Sequence, residues 1–177
     1  MQSKDHWEKI YQTKEINGVS WYQETPSESL NLIQSVTKNK DKKIIDIGCG
    51  KGYLADNLIN LGFNNLTLLD ISRNALAEIK NRVKSKRINY IESDILNFND
   101  NCNYDIWHDR AVFHFLTLES EKIRYKKIAT KKINSGGYLI IGTFAEDGPL
   151  KCSGLEISRY SIDDLEKFFL KDFTLIE

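Results

Sequence analysis

The chain has no excess of charge of either sign. Its 25 lysines and arginines balance 25 aspartates and glutamates, so no long-range field draws it to nucleic acid or to an anionic membrane. Cysteine is scarce. Cys49, Cys102 and Cys152 are odd in number and widely separated, which excludes a disulfide framework and a zinc spacing and points to a reducing compartment. No apolar run approaches the ~20 residues of a membrane helix, and the polar start lacks the apolar core of a signal peptide. Internal repeats and low-complexity segments are missing as well. A length of 177 residues suits one domain with a full core and not two. The expectation is a cytoplasmic protein of one domain, with neither membrane nor nucleic acid as partner.

What is present alternates between two periodicities. Residues 4–13, with Trp7, Ile10 and Tyr11 at helical spacing, predict a short amphipathic helix. A polar loop with Val19-Ser20-Trp21-Tyr22 leads to a second helix opened by Pro26 and Ser27. Together, residues 1–40 read as an N-terminal helical lid on a core of 41–177, and the lysines between 38 and 43 read as a solvated connector. Strands are expected at Ile44–Ile47, Leu66–Leu69, Ile88–Ile91, Tyr104–Trp107, Tyr138–Phe144 and Phe173–Ile176, with helices between them. Ser72 and Ser161 stand as helix N-caps, the second with Asp164 as its capping-box partner. Residues 145–160 show no period and read as a long loop. Such alternation implies an α/β fold, a doubly wound and mostly parallel sheet with helices on both faces.

The stretch Asp46-Ile47-Gly48-Cys49-Gly50-Lys51-Gly52 turns a buried strand into a helix on three alternate glycines. Such a turn admits a ligand closely and presents a helix N-terminus. A dinucleotide fingerprint would place its third glycine at position 53, which is Tyr53. Three acids, Asp46, Asp70 and Asp94, stand at or just past successive strand ends, which a parallel sheet gathers on one edge. Asp70 has the separation from the turn expected of a ribose-binding carboxylate. The Tyr-x-x-x-Lys pair of short-chain reductases and a second domain for a hydride acceptor are both missing.

The glycine turn and the acids that follow it resemble the class I S-adenosylmethionine (SAM)-dependent methyltransferases across nearly the whole chain. The resemblance implies SAM as cofactor and S-adenosylhomocysteine as product. It implies a cofactor site of Asp46, Gly48, Cys49, Gly50 and Gly52 in the turn, Asp70 with Ile71 at the ribose, and Asp94 with Ile95 at the adenine. Asp109 and Arg110 would hold the methionine portion. Trp7, Tyr11, Trp21 and Tyr22 themselves read either as a hydrophobic lid packed on the core or as an aromatic wall around the cationic sulfonium, with Trp21 counted among the cofactor residues. The aromatic N-terminus is similar to that of small single-domain members, which act on thiols, thiopurines or protein lysines. Lysine enzymes usually follow strand four with Asp or Glu, Lys, Gly and a later Asp, whereas here the run is Asp109-Arg110-Ala111 with His114, a departure from the lysine pattern.

Asp109, His114 and His108 are the candidate catalytic residues, because a histidine takes up a proton near neutrality. Taken singly, each imidazole reads first as a buried, hydrogen-bonded packing residue, and no ligand pattern for a metal is evident. There is no Pro-Pro pair, so the nucleobase amino-methyltransferase motif is lacking. The acceptor expected on these grounds is a small-molecule thiol, amine or carboxylate. The alternatives are a protein lysine and a non-catalytic SAM-binding module. The seventh strand of the family's sheet has no counterpart in the sequence.

Overall fold

The computed structural model describes residues 4–19, 21–110 and 112–177, so Ser20 and Ala111 lie outside it. Five parallel strands, β1 (Ile44–Ile47), β2 (Leu66–Asp70), β3 (Ile88–Glu92), β4 (Tyr104–Arg110) and β5 (Ile133–Gly142), form one sheet in the order β3-β2-β1-β4-β5. The order reverses between β1 and β4, and such a switch point opens a crevice at the carboxyl ends of the strands.

Side-chain parity assigns the two faces. On one face Ile45, Ile47, Leu69 and Trp107 pack with Phe113, Tyr125 and Ala129 under α5 (Glu119–Lys132) and α6 (Ile162–Phe169). On the other, Ile44, Leu66, Leu68 and Ile106 pack under α2 (Ser27–Val36), α3 (Leu54–Asn60) and α4 (Arg73–Val83). Burying each such side chain is worth about 1.5–3 kcal/mol. The N-terminal helix α1 (Lys4–Thr13) stands outside these layers and contacts α4.

Most elements follow the periodicity; β4 runs on past Trp107 to Arg110, and three further segments depart from it. The fifth strand begins at Ile133, five residues early. Ile133 pairs with Tyr104 before a register shift, and Gly136 and Gly137 absorb the irregularity. A Cβ on Gly137 would lie 2.8 Å from the Asp105 carbonyl oxygen. The long loop contains a hairpin, β6 (Lys151–Cys152) and β7 (Leu155–Glu156). Ser153 at φ 53° and Gly154 at φ 79° supply the two positive dihedrals of a type I′ turn.

The expected strand at Phe173–Ile176 is not formed. The N–H groups of Asp172 and Phe173 bond the Phe169 carbonyl, which keeps the segment at the end of α6. Phe173 packs on Phe169, while Ile176 is 74% exposed. Among the described residues β5 is therefore an edge strand.

Candidate functional site

Two adjoining cavities lie at the carboxyl edge of the sheet, one of about 550 Å³ and one of about 80 Å³. Trp7, Tyr11, Gly48 and Phe115 line both. Gly48 and Gly50 sit at φ 67° and 54°, where a side chain is strained. The space above them belongs to the protein itself: a Cβ on Gly48 would lie 2.1 Å from Val112 Cγ2, and one on Gly50 2.7 Å from the Tyr11 hydroxyl. The amides of the turn itself are already engaged. Gly48 and Cys49 donate to the Leu69 carbonyl, and Gly50 donates to Asp70 Oδ2 at 2.8 Å.

Asp70 also accepts the Ser72 N–H at Oδ1, at 2.8 Å. Burial nonetheless pushes its carboxyl up to about 6, against the pull of those two amides. It lines the smaller cavity with Ile71, Asp94 and Ile95. Asp94 turns Oδ1 to the Leu96 N–H, at 2.7 Å, capping a 3₁₀ turn over Ile95–Asn97. Apolar walls of Leu69, Ile71 and Ile95 with carboxylates at the rim suit a flat base and its sugar.

The larger cavity receives Asp46, Cys49, Gly50, Gly52, Trp21, His108, Arg110 and His114. Asp46 and His108 are register partners on neighbouring strands and point to the same face. The Asp46 carboxylate takes His108 Nδ1 at 2.7 Å, and His108 Nε2 meets the Ser29 hydroxyl at 2.9 Å. Both ring nitrogens are engaged, so His108 has none left for an acceptor. Its connectivity is that of a nucleophilic triad, but Ser29 is 4% exposed within α2. The trio works as a strut between α2 and the sheet, and Asp46 Oδ2 has no protein partner among the described residues. Arg110 reaches Gln23 Oε1 and the Trp21 carbonyl, holding the loop after α1 against β4.

Asp109 is the candidate that the structure does not bring to the site. One residue from His108, it has the opposite parity and lies in the core at 0% exposure, lining neither cavity. Its oxygens accept the Tyr125 hydroxyl at 2.6 Å and the amides of Val112 and Phe113. Burial raises its carboxyl to about 6, although those donors favour the charged form. Asp109 thus fixes the turn after β4 and is placed neither for proton transfer nor for cofactor contact.

One contributor was not legible in the sequence. Glu8 of α1 accepts from the Ser72 hydroxyl and the Arg73 and Asn74 amides, at 2.8–3.3 Å, and so covers the N-terminus of α4. Burial acts to raise its pKa, but these donors outweigh it and the net shift is downward. Trp7, on the same helix, stacks on Tyr11 and meets Phe115 edge-on at 5.2 Å. Only a capping residue 64 positions from its helix would have revealed the latch, and no local pattern encodes that.

An adenosine with an amino-acid tail fits this pair of cavities. Asp70 and Asp94 would meet ribose and base in the smaller one. Asp46 Oδ2 would face the tail's ammonium group in the larger one.

Comparison with known proteins agrees with the geometry. Residues 38–166 match the family described as "Methyltransferase domain". The mouse protein "eEF1A lysine and N-terminal methyltransferase" is 25% identical over 144 residues, 79% of this chain and 20% of that protein. The human "EEF1A lysine methyltransferase 2" is 25% identical over 157 residues, covering 78% of this chain and 66% of its own length. The chain therefore spans about a fifth of the first relative and about two thirds of the second. Among solved structures, the N-methyltransferase NodS from Bradyrhizobium japonicum in complex with S-adenosylhomocysteine superposes with a TM-score of 0.75 at 17% identity, over 98% of this chain and 89% of that one.

These relatives correct the expectation of a small-molecule acceptor, because the substrate in their names is a protein, eEF1A. The turn after β1, the acids beside it and the family match over residues 38–166 lead to one conclusion: the chain belongs to the methyltransferase-domain family, with the class I architecture whose cofactor is SAM.

Proposed function

We propose that this protein transfers the methyl group of SAM to a lysine side-chain amine on a partner protein. The observation that carries the acceptor is the resemblance to eEF1A lysine methyltransferases over nearly four fifths of the chain. The geometry supports the donor. When bound, SAM supplies a methyl already activated by the positive charge on sulfur. In this reading Asp70, with Ile71, holds the ribose hydroxyls through charge-assisted hydrogen bonds of about 1.5–3 kcal/mol each. Asp94 and Ile95 hold the base.

The turn of Gly48, Cys49, Gly50 and Gly52 bears on the tail, with Asp46 opposite its ammonium and Arg110 and Trp21 closing the wall. Trp7 and Tyr11 exclude water from above. The protein's contribution is then positioning in a dry cleft, which is worth ~7–11 kcal/mol in well-oriented reactions. The departure from the usual lysine-enzyme run after strand four lies at Arg110, Ala111 and His114, and of these Arg110 and His114 line the larger cavity.

The experiment incubates purified protein and methyl-labelled SAM with a lysate of cells lacking it. Label is then sought as N-methyl-lysine in hydrolysed protein. Asp70→Ala is expected to abolish that label. Label confined to small molecules would overturn the acceptor, and no SAM binding by calorimetry would overturn the donor.

A further inference from the structure

His114 is a polar side chain of the larger cavity's wall that the cofactor assignment leaves unexplained, and it is buried without a hydrogen-bond partner among the described residues. It lies in a 3₁₀ turn over Phe113–Phe115, four residues past the end of β4. Its ring packs between Phe115, at 4.2 Å between centroids, and Phe144, at 4.9 Å. Only 2% of the residue is exposed, and both ring nitrogens are buried with no hydrogen-bond partner among the described residues. The main chain on either side is firmly placed. The His114 carbonyl takes the Ser158 N–H at 2.7 Å, and the Ser158 hydroxyl bonds the Leu116 carbonyl.

The large majority of buried side-chain polar atoms have a hydrogen-bond partner, so an imidazole with two idle nitrogens calls for one. Packing alone would be served as well by phenylalanine, which desolvates nothing polar. His114 lines the cavity whose far wall is the glycine turn, so an occupant between them meets the turn on one side and His114 on the other.

We propose that His114 is the hydrogen-bond acceptor for the substrate amine: it takes one N–H of the neutral amine and turns the nitrogen lone pair toward the methyl group. The proposal rests on the lysine reading above and names the residue that orients that lysine. A thiolate or carboxylate acceptor would have no hydrogen to give this ring.

Burial pushes the imidazole down to about 4, and no charged group contributes to the shift. A base that weak does not keep a proton taken from an ammonium group near neutrality. The lysine therefore loses its proton to water on entry, and the collar of His114, Phe115 and Phe144 favours the uncharged amine. The nitrogen–carbon bond then forms as the carbon–sulfur bond breaks. Its electron pair stays on sulfur, and the excess proton on nitrogen departs to water with the product.

The test compares wild type, His114→Phe and His114→Asn in the lysate assay, with S-adenosylhomocysteine affinity and melting temperature measured alongside. His114→Phe removes the idle nitrogens, so its melting temperature should equal or exceed that of wild type. Its rate of N-methyl-lysine formation should fall about 100-fold, as for a misplaced reacting atom, with S-adenosylhomocysteine affinity unchanged. His114→Asn returns an acceptor oxygen and should recover at least a tenth of the wild-type rate. A His114→Phe protein as fast as wild type would overturn the proposal while leaving the lysine reading intact. So would a variant that loses melting temperature and cofactor affinity along with rate. Wild type that labels no lysine would sink the underlying reading first.

Discussion

Asp70 enters ligand binding with a carboxyl that burial holds near 6, and that has a consequence for pH. Ribose hydroxyls donate to the ionised form, so binding lowers this pKa and needs the proton gone. Affinity is therefore full above the free-state value and is lost as pH falls through it. From pH 7 to pH 5 the competent fraction falls about tenfold, and the apparent dissociation constant for SAM should rise by the same factor. Calorimetry at the two values checks this, and Asp70→Asn should flatten the dependence. Ser29 offers a second check. Removing its hydroxyl with Ser29→Ala strands His108 Nε2 in the interior, at a cost of about 1–3 kcal/mol in urea unfolding. The strand-end acids Asp46, Asp70 and Asp94 were legible in the sequence because parallel strands collect their ends. Asp109 was misread for an equally simple reason: a strand that runs to Arg110 instead of stopping at Trp107 carries its alternation through the histidine and the aspartate, and sends them to opposite faces.

Among the elements, α1 has the smallest claim on the core, with no buried residue. It is held by side chains at its rim: Glu8 on the start of α4, Lys4 on Glu92, and the Lys51 ammonium on the Lys14 carbonyl. Losing a capping carboxylate costs about 0.5–2 kcal/mol, and one or two kcal/mol is a factor of about 5–30 in an equilibrium. Glu8→Ala is accordingly expected to release SAM about 2–30 times faster in a stopped-flow chase, while the melting temperature moves little. The helix itself was plain from its period, and so were both serine caps, because they are local signals. The β6–β7 hairpin was not. Its strands are two residues each, too short to show alternation, and its turn has serine where asparagine or aspartate would have marked it.

For the molecule as a whole, the alternation of strands and helices was enough to give the architecture and the edge on which the site lies. The end of the sheet was beyond reach, since whether Phe173–Ile176 pairs depends on where α6 delivers it and not on its own composition. Trp7 and Tyr11 wall both cavities, so on the proposed reading the helix that shelters the nucleoside also bounds the space for the lysine. A protein docked over that space pins the helix in place. Turnover then has a compulsory order: donor in first, methylated partner out next, spent nucleoside last. In steady-state kinetics S-adenosylhomocysteine should compete with SAM alone, and the methylated product should compete with neither substrate outright.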